Sequence, residues 1–421
     1  MNNKVGIYGL LSQSIKLLSG PLSLLVLSSQ LTVDELFFYF SFFSIIAFQQ
    51  VIEAGLSFVI RQKISSSYPE DIKKIYSYFC LSIVWYLAIS IFIILVIGIA
   101  GIYYYDDYTG DISWKTPWWT ITVMSAIFCM FFPVQILVES CQKQVILYKA
   151  RSIASVVSSV ALIISLYNEF GLFSASILVF FSNIIIYILI YRDAREILSK
   201  FRYIKKEKHI LQTFKSIRKV MFKIATTWIM GYFLWNSFSL IVYKVIDIEM
   251  AGKFALAYSL VRTGYYISGS IVNSQVTLFS NMISTGNFER AIALYNKSKI
   301  ASLAIMIIGY LVGALFYMFF PEFYIFDKLP SLDIYALICL FFLTAFMITS
   351  DANFSRCIGD EPYFYHSLFM NTAIPLFFYI FIYHSIYAAL LSSVFINVGL
   401  FVWSRKIFNH ELDVIRAING N

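Results

Sequence analysis

The sequence predicts an all-α polytopic membrane protein: about 12 transmembrane helices in two six-helix halves around a central cavity. Three observations carry that prediction. Long apolar runs recur along the 421 residues, most of them near the roughly 20 residues a helix needs to cross about 30 Å of hydrocarbon. Only 13% of residues are charged, against about 25% in soluble domains, and the mean hydropathy is +0.75. Lys and Arg gather in alternate connections, as they do when those connections share one side of a bilayer.

In chain order the first six runs lie near 5–29, 35–60, 76–101, 117–140, 152–168 and 171–191, and the second six near 219–244, 250–275, 299–320, 331–352, 365–383 and 385–404. The first is polar for a simple anchor (Ser12, Gln13, Ser14, Lys16) and no small-residue cleavage site follows it, so it is expected to stay. Pro21 in the first run, Pro117 and Pro133 in the fourth and Pro375 in the eleventh can bend helices and open a cavity. Tyr103, Tyr104, Tyr105, Trp114, Trp118 and Trp119 cluster at one end of runs three and four, as in an interfacial belt. In the ninth, Gly309-x-x-x-Gly313 permits close helix approach.

The division that follows is a six-helix half over 1–191, a basic connection over 192–219, a second six-helix half over 220–404 and a tail over 405–421. Most of the 32 cations fall in the even-numbered connections and tails, including Arg192, Arg195, Lys200 and Arg202 in the central one. The opposite connections hold acids such as Asp34, Glu35, Asp106, Asp107, Asp247 and Glu249. The expected topology is therefore multi-pass in the cell inner (cytoplasmic) membrane with both termini cytoplasmic. The formal charge of +8 reflects that topology rather than nucleic-acid binding. Five scattered cysteines without C-x-x-C, four isolated histidines and no G-x-x-x-x-G-K-[ST] leave no expected metal, cofactor or ATP site.

The halves echo each other faintly. Ser23-Leu24-Leu25-Val26 aligns with Ser239-Leu240-Ile241-Val242, and Tyr39 to Ile45 aligns with Phe254 to Leu260 after a one-residue gap. Six plus six spans in one orientation place a binding site near the bilayer midplane between them.

Three short stretches carry a family resemblance: Ile248 to Leu260 at the start of the eighth run, Ser280 to Ala291 after it, and Glu53-Ala54-Gly55-Leu56-Ser57 in the second. They resemble the polysaccharide-transporter flippases, O-antigen and other lipid-linked oligosaccharide flippases of the multidrug/oligosaccharidyl-lipid/polysaccharide exporter superfamily. One departure is Leu36-Phe37-Phe38, where such proteins carry a small residue or Gly. The resemblance implies a transporter, not an enzyme. It would carry a polyprenyl-pyrophosphate-linked oligosaccharide from inner to outer leaflet by alternating access, for O-antigen or lipopolysaccharide biosynthesis. The implied partners are that lipid, membrane lipids, a proton or sodium gradient, and polymerase and chain-length proteins.

A pyrophosphate and sugar hydroxyls cannot cross hydrocarbon unpaired, so the spans must supply a wet cavity with cations. Lys16, roughly 16 Å into the first span, shares a face with Gln13, Gly20 and Ser23. Arg262, near mid-depth in the eighth, stands in one helical stripe with Tyr258, Tyr265, Gly269 and Asn273. Lys223 stands either at a binding position or at a solvated mouth. Of these, Arg262, Lys16, Lys223, Tyr258, Tyr265, Asn273 and Gln13 are the candidate substrate-binding residues, with Gly269 giving room for helix packing; the alternative is that Lys16 and Arg262 pair with internal acids or carbonyls, or snorkel, and hold helices together. Glu53 and Asp351 are the candidate ion-coupling acids, since a buried carboxylate can take up and release a proton. The structural alternatives are a Glu53–Arg61 or Glu53–Lys16 pair, and a solvated helix end at Asp351. Two other functions stay open: a multidrug, cation-coupled exporter of the same superfamily, which favours an acidic cavity, and a membrane O-antigen polymerase, against which the short acidic outer loops count.

Overall fold

A computed structural model describes residues 20–203, 210–358 and 362–419, which are almost entirely helical. It divides into two compact units, Met1–Tyr232 and Phe233–Asn421. The first contains α1 (20–30), α2 (Val33–Ile46), α3 (Gln49–Glu53), α4 (Leu56–Ser67), α5 (Ile72–Phe92), α6 (Gly98–Tyr104), α7 (Lys115–Ser140), α8 (Gln144–Tyr167), α9 (Phe173–Lys200) and most of α10 (Ile210–Asn236). The second contains α11 (Phe238–Val245), α12 (Ile248–Asn273), α13 (Val276–Ser284), α14 (Phe288–Phe319), α15 (Leu332–Ser355), α16 (Phe364–Phe381) and α17 (Ile386–Asn419).

Among the described residues nine helical stretches are long and apolar enough to cross a membrane, so this is a multi-pass membrane protein. Two are composite: Val33–Glu53 joins α2 and α3, and Ile72–Tyr104 joins α5 and α6 through a π-helical turn at Ile93–Ile97. Of the other expected spans, the seventh and eighth coincide with helices too polar or too interrupted to qualify, and most of the first lies outside the described residues. Helix α12 is diluted by Arg262 and its tyrosines, serines and glycines, and α10 parts from α11 at Ser237.

Acids expected outside the spans do local work at helix starts. Thr32 accepts the Glu35 backbone N–H (3.3 Å) while Glu35 accepts that of Thr32 (2.8 Å), a reciprocal capping box on α2. Asp71 caps α5 through Lys74 N–H (3.0 Å) and Asp247 caps α12 through Met250 N–H (2.6 Å).

In the first unit α7 packs on α5 and on α9, and α9 on α8. A slot seats α6, which continues the same span as α5, against α7. A Cβ on Gly101 would lie 2.2 Å from the Trp118 ring, and one on Gly98 2.7 Å from Trp119. Trp118 is 0% exposed and donates its indole N–H to the Gly98 carbonyl (2.8 Å). The aromatic belt is thus corrected: Tyr105, Trp114 and Trp118 are buried against Phe38 and Phe42, with Tyr105 hydrogen-bonded to Ser41 (2.6 Å). Gly98 and Gly101 open the room that takes Trp119 and Trp118, whereas Tyr103 remains exposed. In the second unit α12 packs on α14 and α15, and α17 packs on α15 and α16. Gly313 meets the Tyr335 hydroxyl, but Gly309 faces no atom within 4 Å, so the expected close approach rests on one glycine of the pair.

Candidate functional site

The second span is not one helix. Ala54 (φ 52°) and Gly55 (φ 70°) both adopt the left-handed conformation, which ends α3 at Glu53 and restarts the chain as α4 at Leu56. Gly takes that conformation freely; Ala does so at a cost, and strain of this kind gathers at functional positions. The break leaves the first N–H groups of α4 without helical partners. The Glu53 carboxylate fills that role, accepting from Ser57 N–H (3.2 Å) and from the Tyr86 hydroxyl (2.8 Å). Negative charge is favoured there by the α4 dipole.

A cavity of about 380 Å³ opens beside it, with Gln49, Gln50, Ser125, Cys129 and Asn183 in its wall. The Gln49 Oε1 is buried and accepts no hydrogen bond among the described residues. One turn of α3 therefore presents a carboxylate and an unfilled amide oxygen, both acceptors. Among the described residues no cation lies within ion-pair distance of Glu53. The alternative Glu53–Arg61 pair does not form, because Arg61 turns to Glu139 (3.4 Å), which Arg151 also holds (3.3 Å). Lys16 and Gln13 lie outside the described residues, so Glu53–Lys16 is left aside.

The stripe on α12 is organised by a second helix break. Where α10 stops at Asn236, its last carbonyls lose their helical donors. Arg262 donates to one of them, Trp235 O (3.1 Å), and to the Tyr266 hydroxyl (3.1 Å), with its guanidinium over both rings at 5.6 and 5.4 Å. Tyr258 reaches the neighbouring carbonyl of Leu234 (3.5 Å). Among the described residues Arg262 has no carboxylate partner, and it is only partly buried. Tyr258 lies within an aromatic cluster of Phe238, Phe254 and Phe342, a packing position. Tyr265 bonds Thr349 (3.0 Å) and packs on Trp235. Asn273, exposed at the end of α12, accepts from Asn353 (3.0 Å). Lys223 falls within α10, and its side chain is outside the described set.

Asp351 is not a solvated helix end. It is 0% exposed. Its Oδ1 accepts from Lys299 Nζ (2.5 Å) and from the Tyr295 hydroxyl, and its Oδ2 faces Arg405 (3.4 Å). Phe354, stacked on Tyr295, helps to cover the cluster, and Phe408 packs against both rings. The acid holds three helices together: α15 through its own backbone, α14 through Lys299 and Tyr295, and α17 through Arg405. Glu139 does the same in the first unit, near the end of the corresponding fourth span, where two arginines meet one acid.

Sequence reading missed Lys299, Tyr295 and Arg405 beside Asp351, and Tyr86 beside Glu53, whereas the four-residue spacing of Gln49 and Glu53 does put those two on one helix face. The local signal for the break itself was Ala54-Gly55 inside an apolar run.

No protein-family model matches the chain, and no curated protein matches it in sequence. Solved structures do match. The chain is similar to a multidrug resistance MATE family transporter of the MOP superfamily in its inward-facing conformation, with a TM-score of 0.70 and 13% identity over 96% of this chain and 99% of that one. It is similar to an outward-facing conformation of such a transporter (TM-score 0.58, 13% identity, 97% and 96% covered). It is also similar to a MATE structure in the straight conformation (TM-score 0.60, 13% identity, 97% and 96% covered). This chain has the fold of the MATE transporters of the MOP superfamily.

Proposed function

We propose that this protein is a cation-coupled exporter working by alternating access, with Glu53 as the coupling acid. The single observation that carries the reading is the Glu53 carboxylate. It stands at a helix break beside a cavity within the membrane-spanning fold, next to the unfilled Gln49 oxygen, with no cationic partner among the described residues. Ionisable groups in spans are functional by default. A proton or a sodium ion is the simplest species that satisfies both acceptors. Binding it would remove the negative charge that caps α4, so ion release and conformation would be linked through the break. Likeness in fold to multidrug resistance transporters that occur inward-facing and outward-facing supports this reading over lipid-linked oligosaccharide transport. In this account Asp351, fixed by two cations, is a structural acid and not a carrier.

The test is efflux of a cationic dye such as ethidium from cells lacking their own exporters. Wild type should lower retained dye, while Glu53→Gln, at matched membrane abundance, should not. Equal efflux by the two would sink the coupling role.

A second substrate class is favoured by one observation. Among the described residues Arg262 presents a guanidinium with no carboxylate partner, suited to a phosphate group. On this reading the two halves flanking the 192–219 connection move a polyprenyl-pyrophosphate-linked oligosaccharide across the inner membrane, with Arg262, Lys16, Lys223, Tyr265, Asn273 and Gln13 lining its path. Polymerase and chain-length proteins would follow it. Gene deletion separates the cases: accumulation of lipid-linked repeat units on the cytoplasmic face supports the second class, and unchanged surface polysaccharide removes it.

A further inference from the structure

The first unit carries a second, larger concavity that has no part in the transport reading above. It is a groove of about 870 Å³ between α7 and α9, running from Phe180 to Arg202. Over most of its length the wall is apolar, with Ile127, Phe131 and Ile184 among its side chains. At the end nearest the basic connection it changes character and is lined by Arg195, Ser199 and Arg202.

The charges at that end are arranged for an external partner. Arg195 and Arg202 stand seven positions apart, on one face of the chain as it leaves α9. The nearby acids are already occupied: Lys143 holds Asp193 (3.0 Å) and Glu196 (3.4 Å). Among the described residues neither arginine has an ion pair, and both are exposed. Helix α9 spans 28 residues, about 42 Å, longer than the roughly 30 Å of hydrocarbon. Its last turns therefore reach headgroup level while the apolar wall lies at chain depth. From Phe180 to Arg195 the rise is about 22 Å, more than the roughly 15 Å of one leaflet.

We propose that this groove is a binding site for an anionic glycerophospholipid of the leaflet that the basic connection faces. One acyl chain lies along Ile127, Phe131 and Ile184, and the phosphate is held by Arg195 and Arg202. Charge complementarity selects that occupant: a zwitterionic lipid fills the apolar wall and offers the same phosphate, but the two guanidinium groups repel its quaternary ammonium, whereas a headgroup of net negative charge is only attracted. A cation near an anionic headgroup favours it by about 5-fold per residue, so two give on the order of 30-fold.

The purified full-length protein tests this by native mass spectrometry, with phosphatidylglycerol and phosphatidylcholine of matched chains as probes. Wild type should retain phosphatidylglycerol on the order of 30-fold better. Arg195→Gln/Arg202→Gln should bring the ratio near one while still binding both lipids weakly. Ile127→Trp, which fills the chain-binding wall, should lower occupancy by both. The exposed Lys73→Gln serves as a charge control and should keep the wild-type ratio. Three results would overturn the assignment. They are equal retention of the two lipids by wild type, a loss in Lys73→Gln as large as in the arginine variant, or displacement of phosphatidylglycerol by an isoprenyl phosphate at a tenth of its concentration.

Discussion

Replacing Asp351 by Leu strands a buried ammonium. Lys299 is 89% shielded along its side chain, and Asp351 is its anionic partner. Arg405 is different: its side chain is 42% exposed and can turn to solvent when the carboxylate goes. Tyr295 loses the acceptor of its hydroxyl. Removing one member of a buried pair costs about 3–5 kcal/mol, and for a unit of this size each kcal/mol lowers Tm by roughly 2–4 °C. Asp351→Leu should therefore unfold on the order of 10 °C below wild type, followed by intrinsic fluorescence of the protein in detergent. Lys299→Met should cost less, because Asp351 keeps Arg405 and Tyr295. The double variant should recover most of the loss, since apolar groups of similar volume replace a buried pair at little net cost. Simple addition of the two single losses would refute the idea that these residues act as one cluster.

Three further outcomes follow from the packing. Gly101→Ala should destabilise by about 1–3 kcal/mol through overlap with Trp118, while Gly309→Ala, which meets nothing within 4 Å, should gain up to about 1 kcal/mol; parallel thermal scans compare them. Thr32→Ala removes one arm of the α2 capping box and should cost about 1 kcal/mol by the same measurement. Tyr86→Phe deletes a hydrogen bond to Glu53 without touching the α4 cap. It should shift the gradient at which dye efflux is half-maximal and leave the unfolding temperature within a few degrees of wild type.

The all-helical, membrane-spanning class was legible because hydropathy is summed along the chain, and each apolar run votes on its own. The site was only partly legible, for a physical reason visible in particular residues. Lys299 and Arg405 stand at the edges of apolar runs, where a cation reads as topology, yet both converge on Asp351 from 52 and 54 positions away. Helical periodicity relates neighbours on one helix and carries nothing about such meetings. It did place Tyr258, Arg262 and Tyr265 on one stripe, but their partners Leu234 and Trp235 exist only because α10 ends there. The burial of Trp118 turns on glycines 17 and 20 positions earlier in another helix. Glu53 was marked as a candidate, whereas its role as the cap of α4 depended on a break that its neighbours encode.

Gradient-driven transport in proteoliposomes tests the central claim most directly. Purified wild type, Glu53→Gln and Arg262→Gln are reconstituted at equal density, a proton or sodium gradient is imposed, and accumulation of a cationic dye is followed. The account predicts accumulation against its own gradient by wild type and by Arg262→Gln, with Glu53→Gln equilibrating the dye without concentrating it. Accumulation by Glu53→Gln at the wild-type level would contradict it.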